Sequence, residues 1–293
     1  MLKTQSSFAD NLNESGTLYL VPTPIGNLQD MTFRAADILK SVDLIAAEDT
    51  RNTQKLLNHF EIQTKQISFH EHNSKERIPQ LIAKLNEGQS IAQVSDAGMP
   101  SISDPGQDLV RAAIDADIAV APLPGANAGL TALIASGLVP QPFYFYGFLD
   151  RKKKEQKTEI AALVSHRETL IFYEAPHRLK DTLKSLLAGF GDRKVALCRE
   201  LTKRHEEFIR GSLSEVLEWA TTSEIRGEFV IILAGNSQPE ELAVPSFDLS
   251  LSAEEHVQNL IDSGEKTNDA IKQVAKLRKL KRQDVYNQFH HID

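Results

Sequence analysis

The chain has 293 residues, 41% apolar and 25% charged, with a formal net charge of −7. That length suits roughly two domains with a sizeable core, and the excess of acids excludes a wholly basic nucleic-acid coat while leaving room for a local basic strip. Its single cysteine, Cys198, excludes an intramolecular disulfide and a Cys-rich zinc or redox module. The N-terminus lacks the apolar core of a signal peptide, and the apolar runs, such as 231–233 within EFVIILAG, fall far short of the ~20 residues that cross a bilayer. A soluble cytoplasmic protein is expected.

Residues 1–16 are polar and are predicted to be disordered. From Thr17 onward, short β-branched or aromatic runs predict strands: TLYLV (17–21), DLIAAE (43–48), KQISFH (65–70), SIAQVS (90–95) and IAVAPL (118–123). Between them, 31–42, 74–86, 106–116 and 127–136 carry apolar residues at helical spacing, as Phe33, Ala36, Ile38, Leu39 and Val42 do in the first. Alternating strands and helices predict an α/β domain over 17–140, built on a parallel sheet. At 138–150 the character changes: VPQPFYFYGFLD holds two prolines and a cluster of aromatics, and RKKKEQK follows. We read a domain boundary there and a second α/β domain, with a mixed sheet, over 141–238. Its expected strands are TLIFYE (169–174), KVALCREL (194–201), HEEFIRGS (205–212) and EFVIILA (228–234), with helices near 155–165, 177–188 and 213–221. The second and third of those strands are close enough in sequence to pair antiparallel. A linker rich in Pro, Ser and acids (235–250) leads to a small helical domain over 246–293, in which KTNDAIKQVAKLRKLKRQDVYNQF reads like a helix-turn-helix.

Ligands of open α/β sheets bind at the carboxyl ends of the strands. In this chain those ends carry VPTPIGNLQD (21–30), AEDTRNT (47–53), HEHNS (70–74), SDAGMPSISDPG (95–106) and PLPGANAG (122–129). One such loop is an ordinary turn. Five on one edge, two of them long for strand-to-helix connections and rich in the Gly and Pro that let a ligand approach the backbone, mark a site. The sequence has no G-x-G-x-x-G after its first strand, no G-x-x-x-x-G-K-[ST] and no G-x-S-x-G, so the dinucleotide fingerprint, the P-loop and the nucleophile elbow are missing. His70 and His72 point the same way on an extended strand end, but no third histidine lies nearby. The expected role of HEHN is a polar rim, with no metal.

In order, VPTPIGNLQD, AAEDTR, VSDAGMPSISDPG, PLPGANA, FYFYGFL, IFYEAPHRL and RELTKRHEE resemble the signatures of the tetrapyrrole methylase superfamily. Within it they are similar to the branch that 2'-O-methylates a cytidine in small-subunit (16S) ribosomal RNA. The resemblance runs from about residue 16 to 235, and the tail resembles that branch's C-terminal helical domain. It implies a fold of two α/β domains with S-adenosylmethionine (AdoMet) in the cleft between them, and a homodimer. It further implies cofactor contacts from Pro24, Ile25 and Gly26; from Asp96, Ala97, Gly98, Ser101 and Ile102; from Gly125, Ala126, Asn127 and Ala128; and, in the second domain, from Tyr173, Leu233 and Ala234. Tetrapyrrole-modifying relatives generally carry a G-G-D-P loop where this chain has S-D-A-G-M-P (95–100), which argues against a corrin or porphyrin substrate.

Methyl transfer to a ribose hydroxyl needs in-line positioning and help in removing a weakly acidic proton. The candidate bases are Glu48, Asp49, Glu174 and His177. Glu48 or Asp49 is preferred as base or orienter, with Arg51 and Arg178 holding the phosphates that flank the target nucleotide. Phosphate contacts dominate affinity for RNA, so the basic strips are candidate docking residues: Arg151, Lys152, Lys153 and Lys154; Lys203 and Arg204; and, in the tail, Lys276, Lys279, Lys281 and Arg282. The alternatives are a tetrapyrrole-type small-molecule methyltransferase on the same fold and a metal-dependent hydrolase using His70, His72 and Asp49.

Overall fold

The computed structural model describes residues 2, 4–5, 15–237, 251–262, 264–278 and 280–291. Most of the expected disordered N-terminus and of the linker, and Lys279, therefore lie outside the described residues. By contacts the chain divides into two compact units, Met1–Pro239 and Glu240–Asp293.

The first unit holds two five-stranded sheets. One is formed by β1 (Thr17–Leu20), β2 (Leu44–Ala47), β3 (Gln66–Ser68), β4 (Ile91–Val94) and β5 (Ala119–Pro122), in the order β3-β2-β4-β1-β5. Every pairing in it is parallel. β2 and β4 are buried at all four positions, which is why LIAA and IAQV read as continuous runs and not as alternations. Helices α1 (Phe33–Ser41), α2 (Thr50–His59), α3 (Ser74–Asn86) and α4 (Gly106–Asp115) make the crossovers. Two apolar clusters flank the sheet, one around Leu39, Ile45 and Leu57, the other around Leu18, Leu81 and Leu109.

The second sheet contains β6 (Phe143–Phe148), β7 (Thr169–Glu174), β8 (Lys194–Arg199), β9 (Glu207–Ser212) and β10 (Phe229–Leu233), in the order β6-β7-β10-β8-β9. β6 and β7 are parallel and the other neighbours antiparallel, so the sheet is mixed, as expected. The helices α6 (Lys153–Leu163), α7 (Leu179–Phe190) and α8 (Leu213–Thr222) share one core with it. The other face is covered by α5 (Ala128–Ser136), whose Ala132 and Leu133 pack with Ile171, Ala196, Cys198, Val230 and Ile232. α5 follows β5 in the chain yet buries its apolar side on the second sheet, so the two sheets share a core element.

Two elements depart from the sequence reading. Residues 143–148, read as part of a boundary, form the edge strand β6: Pro140 and Pro142 come just before it, and its aromatics pair along β7 with a shift between Phe145 and Gly147. AEDTRNT, read as a loop, runs directly into α2. Asp49 caps that helix by accepting from Arg51 N, and only Thr53, Leu56 and Leu57 of its ten residues are buried, too few to print a helical period on the sequence.

In the second unit α9 (Ala253–Asp262), α10 (Thr267–Arg278) and α11 (Arg282–His290) pack pairwise around Val257, Ile271, Val274 and Val285. Arg278 is drawn inward: Nε donates to His256 Nδ1 at 3.1 Å and Nη2 to the carbonyl of Leu251.

Candidate active site

A cavity of about 710 Å³ opens where the carboxyl edge of the parallel sheet meets the second sheet. The loop after β4 shapes it. Thr23 and Gly98 exchange backbone hydrogen bonds, 3.0 Å each way, and Thr23 Oγ1 donates to the Ser95 carbonyl. Gly98 has φ +79°, and a Cβ there would sit 3.4 Å from Ile25 Cγ2 and 3.5 Å from the Ala126 carbonyl, so the loops after β1, β4 and β5 converge on it. Ser101 does not line the cavity. It braces the loop: its N donates to Asp104 Oδ2 (2.8 Å) and its Oγ to Gln93 Oε1 (3.1 Å), while Gln93 Nε2 and Gly106 N both reach Asp104 Oδ1. Ile25, Asp96, Ala97, Gly98, Ile102, Asn127 and Ala128 line the cavity. Pro24 and Gly26 instead line a smaller hollow of about 220 Å³ that shares Ser95 and Asp96 with it. Gly125 is exposed and packs against Pro22, outside the lining of either.

Carboxylates dominate the rim, and their settings differ. Glu48 faces the cavity, and its Oε2 accepts from Asp96 N at 3.1 Å. Burial, reinforced by the nearby carboxylates of Asp96, Asp104 and Asp49, pushes its acid above the usual carboxylate range. Asp49 is the opposite case. Its Oδ1 accepts from Arg51 N and Nε (2.8 and 3.1 Å) and its Oδ2 from Arg51 Nη2 (2.7 Å), and these bonds hold its pKa down to about 2. Asp49 N and Asn52 Nδ2 grip the two oxygens of Asp96. The AEDTR segment thus splits into one carboxyl raised at the cavity and one helix-capping carboxylate held low beside an exposed Arg51.

From the second sheet come Phe148, Tyr173, Glu174, Ala175, Pro176, His177, Cys198, Phe229 and Val230, with Leu201 and Lys203 from the β8–β9 turn. Tyr173 Oη accepts from Gly129 N at 3.0 Å and so ties β7 to the start of α5. Burial pushes the Cys198 thiol up to about 12, which makes it a neutral wall. The expectation for Leu233 and Ala234 is corrected: β10 runs antiparallel to β7 with Phe229 opposite Glu174 and Leu233 opposite Leu170. The start of β10, and not its end, faces the cavity, and Leu233 is fully buried in the core.

Two charged side chains of EAPHR turn toward partners within the fold. Glu174 has a side chain only 1% exposed. Its Oε2 accepts from Thr182 Oγ1 (2.5 Å), and its Oε1 from Ala175 N (2.8 Å) and, more loosely, Arg178 Nε (3.4 Å). Arg178 Nη2 donates to the carbonyls of Leu149 and Asp150 (2.8 and 3.1 Å). The pair shapes the turn after β7 and fastens it to the end of β6. Both oxygens of Glu174 are thus engaged within the fold, as are Nε and Nη2 of Arg178. Of the three, His177 alone is exposed, and it lines the cavity; Glu174 reaches the cavity wall from a buried position.

The basic strips separate in the same way. Arg151, Lys152, Lys153 and Lys154 are all exposed, as are Arg204, Lys276, Lys281 and Arg282. Lys203 is not available: its Nζ lies 2.8 Å from both Glu200 and Glu228 in the cavity wall. Gly26 packs on it so closely that a Cβ would come within 2.4 Å of Lys203 Cγ. The residues missed from sequence, Met99, Ser103, Asp104, Phe148, Leu201 and Glu228 among them, carried no signal beyond adjacency to the loops that were recognised. His70 and His72 have ring centroids 5.9 Å apart. Among the described residues no three metal-ligating side chains converge.

A parallel α/β sheet joined to a mixed sheet, with a cavity at the junction, defines the class, and the chain belongs to the tetrapyrrole methylase family: residues 17–217 match the tetrapyrrole (corrin/porphyrin) methylases. Much nearer relatives extend over the whole length. Ribosomal RNA small subunit methyltransferase I of Streptococcus pyogenes serotype M18 (strain MGAS8232) is 58% identical over 291 residues, covering 99% of this chain and 100% of its own. The Bacillus subtilis (strain 168) protein of the same name is 53% identical over 290 residues, 99% of each chain. Among solved structures, Thermus thermophilus uroporphyrin-III C-methyltransferase in complex with S-adenosylhomocysteine shares the fold, with a TM-score of 0.52 at 20% identity over 75% of this chain and 97% of that one.

Proposed function

We propose that this chain transfers the methyl group of AdoMet to the ribose 2'-hydroxyl of a cytidine in the 16S RNA of the small ribosomal subunit, acting in the cytoplasm as a homodimer. The observation that carries the reading is the likeness to ribosomal RNA small subunit methyltransferases I across 99% of the chain, tail included. Neither alternative draws comparable support, since a small-molecule tetrapyrrole enzyme needs no basic three-helix tail and a metal-dependent hydrolase needs a ligand cluster that is not found among the described residues.

The cavity suits AdoMet chemically. Its volume lies within the range of small-molecule sites. Glu48, Asp96, Asp104 and Glu228 outnumber Lys203 on its walls, a balance that favours a ligand with a sulfonium and an ammonium. Apolar Ile25, Ile102, Leu201 and Val230 offer surface for an adenine. When bound, AdoMet supplies a methyl group already activated by its sulfonium. This chain's part is to hold the acceptor in line and to take its proton. Glu48 accepts that proton: it is the rim carboxylate raised toward neutrality, where a general base works best. Asp49 and Arg51 order the loop beside it, and His177 borders the acceptor's side of the cavity. Arg151, Lys152, Lys153 and Lys154, with the tail's Lys276, Lys281 and Arg282, hold RNA phosphates.

The dimer reading draws on apolar side chains displayed to solvent along one stretch of chain: Ile134 is 80% and Val139 67% exposed, with Leu130, Phe143 and Tyr144 beside them in sequence. Side chains of this kind are concentrated at interfaces. The test of function is direct: incubate the protein with labelled AdoMet and unmethylated small subunits, then map the label. A 2'-O-methylcytidine is expected, and label on a base, or none, overturns the reading.

A further inference from the structure

A second trough, of about 730 Å³, leaves the cavity on the side of the second sheet. The two share Phe148, Ala175 and His177, so they form one continuous depression with those residues at the junction. Phe148 is the outlier. It is a large aromatic ring 55% exposed at the end of an edge strand, registered opposite Tyr173 and held edge-on to that ring at 5.5 Å between centroids. The apolar core gives no reason for it to stand there. Beyond it the trough is walled by Arg151 and Lys152, both exposed. The nearby Asp150 carboxylate is turned back to accept from Lys152 N at 2.6 Å. The floor is braced, because the half-buried Arg178, itself part of the trough lining, donates from Nη2 to the carbonyls at 149 and 150.

An exposed aromatic face followed by free cations on a fixed backbone is the arrangement that takes an unpaired nucleotide: the base stacks and the phosphate is neutralised. We propose that the trough binds the nucleotide next to the methylated one in single-stranded RNA, its base stacked on Phe148 and its phosphate held by Arg151 and Lys152. This inference rests on the RNA reading above and deepens it. A target splayed from its neighbours is held from one side by this stack while its ribose lies at the Ala175–His177 junction, beside the cavity. Phe148 is thus a positioning residue for the acceptor strand.

The test is steady-state methylation of unmethylated small subunits with labelled AdoMet, varying each substrate in turn. Phe148→Leu removes the π-face and keeps an apolar side chain; KM for the subunit is expected to rise about tenfold, well beyond any change in KM for AdoMet, and Phe148→Trp to restore it. Arg151→Ala with Lys152→Ala, both on the surface and so free of folding risk, is expected to raise the subunit KM and to lower the slope of log KM against log salt by about 1. An unchanged subunit KM in Phe148→Leu, or an effect on AdoMet alone, overturns the stacking site while wild-type labelling leaves the ribosomal reading standing. An unchanged salt slope in the double variant overturns the phosphate half. Wild-type protein that labels no subunit overturns the function itself, and this proposal with it.

Discussion

Replacing Glu48 by Gln removes one charge and almost no volume. The amide oxygen still accepts from Asp96 N, as Glu48 Oε2 does at 3.1 Å, so the loop after β4 keeps its shape. What is lost is the proton acceptor. A positioned general base contributes roughly 10²–10⁴ in rate, equivalent to about 2.7–5.5 kcal/mol of barrier, and single-turnover methylation of small subunits at saturating AdoMet is expected to slow by that factor. Asp49→Asn is the matched control. Asn caps a helix about as well as Asp, and the ion pair it abolishes is with an Arg51 side chain 88% exposed, a kind of contact worth little; its rate should stay within a few fold of wild type.

The pH profile separates the two carboxylates as well. A base works ionised, so the rate falls as pH drops through its pKa. Glu48 is raised by burial and gives an acid limb above the usual carboxylate range, whereas Asp49, held at about 2 by Arg51, gives none until far lower pH. Glu48→Gln should abolish that limb. If Glu48→Gln retains near wild-type rate with AdoMet affinity intact, or keeps the limb, the assignment of the base is wrong.

Glu174→Gln tests a structural assignment: it leaves the partly buried Arg178 without its counter-charge, and since that arginine keeps its carbonyl partners the cost should fall below the roughly 3–5 kcal/mol of a fully buried pair, to be read as a lower temperature of thermal unfolding, whereas a purely catalytic carboxylate would leave the melting temperature unmoved. Gly26→Ala should drive a methyl into Lys203 Cγ and the Leu201 carbonyl, 2.4 and 3.0 Å away; overpacking of this kind costs about 1–3 kcal/mol, and AdoMet affinity measured by calorimetry should fall as the wall shifts. Ile134→Asp puts a charge on an 80% exposed apolar position; if the wild-type protein sediments as the proposed dimer, this variant should sediment as a monomer without a lower unfolding temperature, and an unaltered sedimentation coefficient rejects this face as the interface. Deleting 246–293 should weaken subunit binding and flatten its salt dependence while AdoMet still binds, and an unchanged affinity for subunits would remove the tail from the docking surface.

Much of this protein is written locally. Strands such as 169–174 and 91–94 are buried on both faces and announce themselves as apolar runs, and the loops at the sheet edge carry Gly, Pro and acids in an order that identifies the family with no knowledge of contacts. α2 and β6 were hidden because a helix with three buried residues, and an edge strand preceded by two prolines, leave no clear period. The division of labour within the site was not written there at all. AEDTR shows two adjacent acids and EAPHR an acid and a base, but burial with neighbouring carboxylates raises the Glu48 acid, burial turns Glu174 into the fold, and the Arg51 contacts lower Asp49. Strand direction, a property of the whole sheet, brought Phe229 to the cavity and took Leu233 away from it. Residue type and spacing determined the family and the chemistry available; desolvation and the antiparallel register, which exist only once distant segments pack, decided which side chains reach the cavity and in what electrostatic setting.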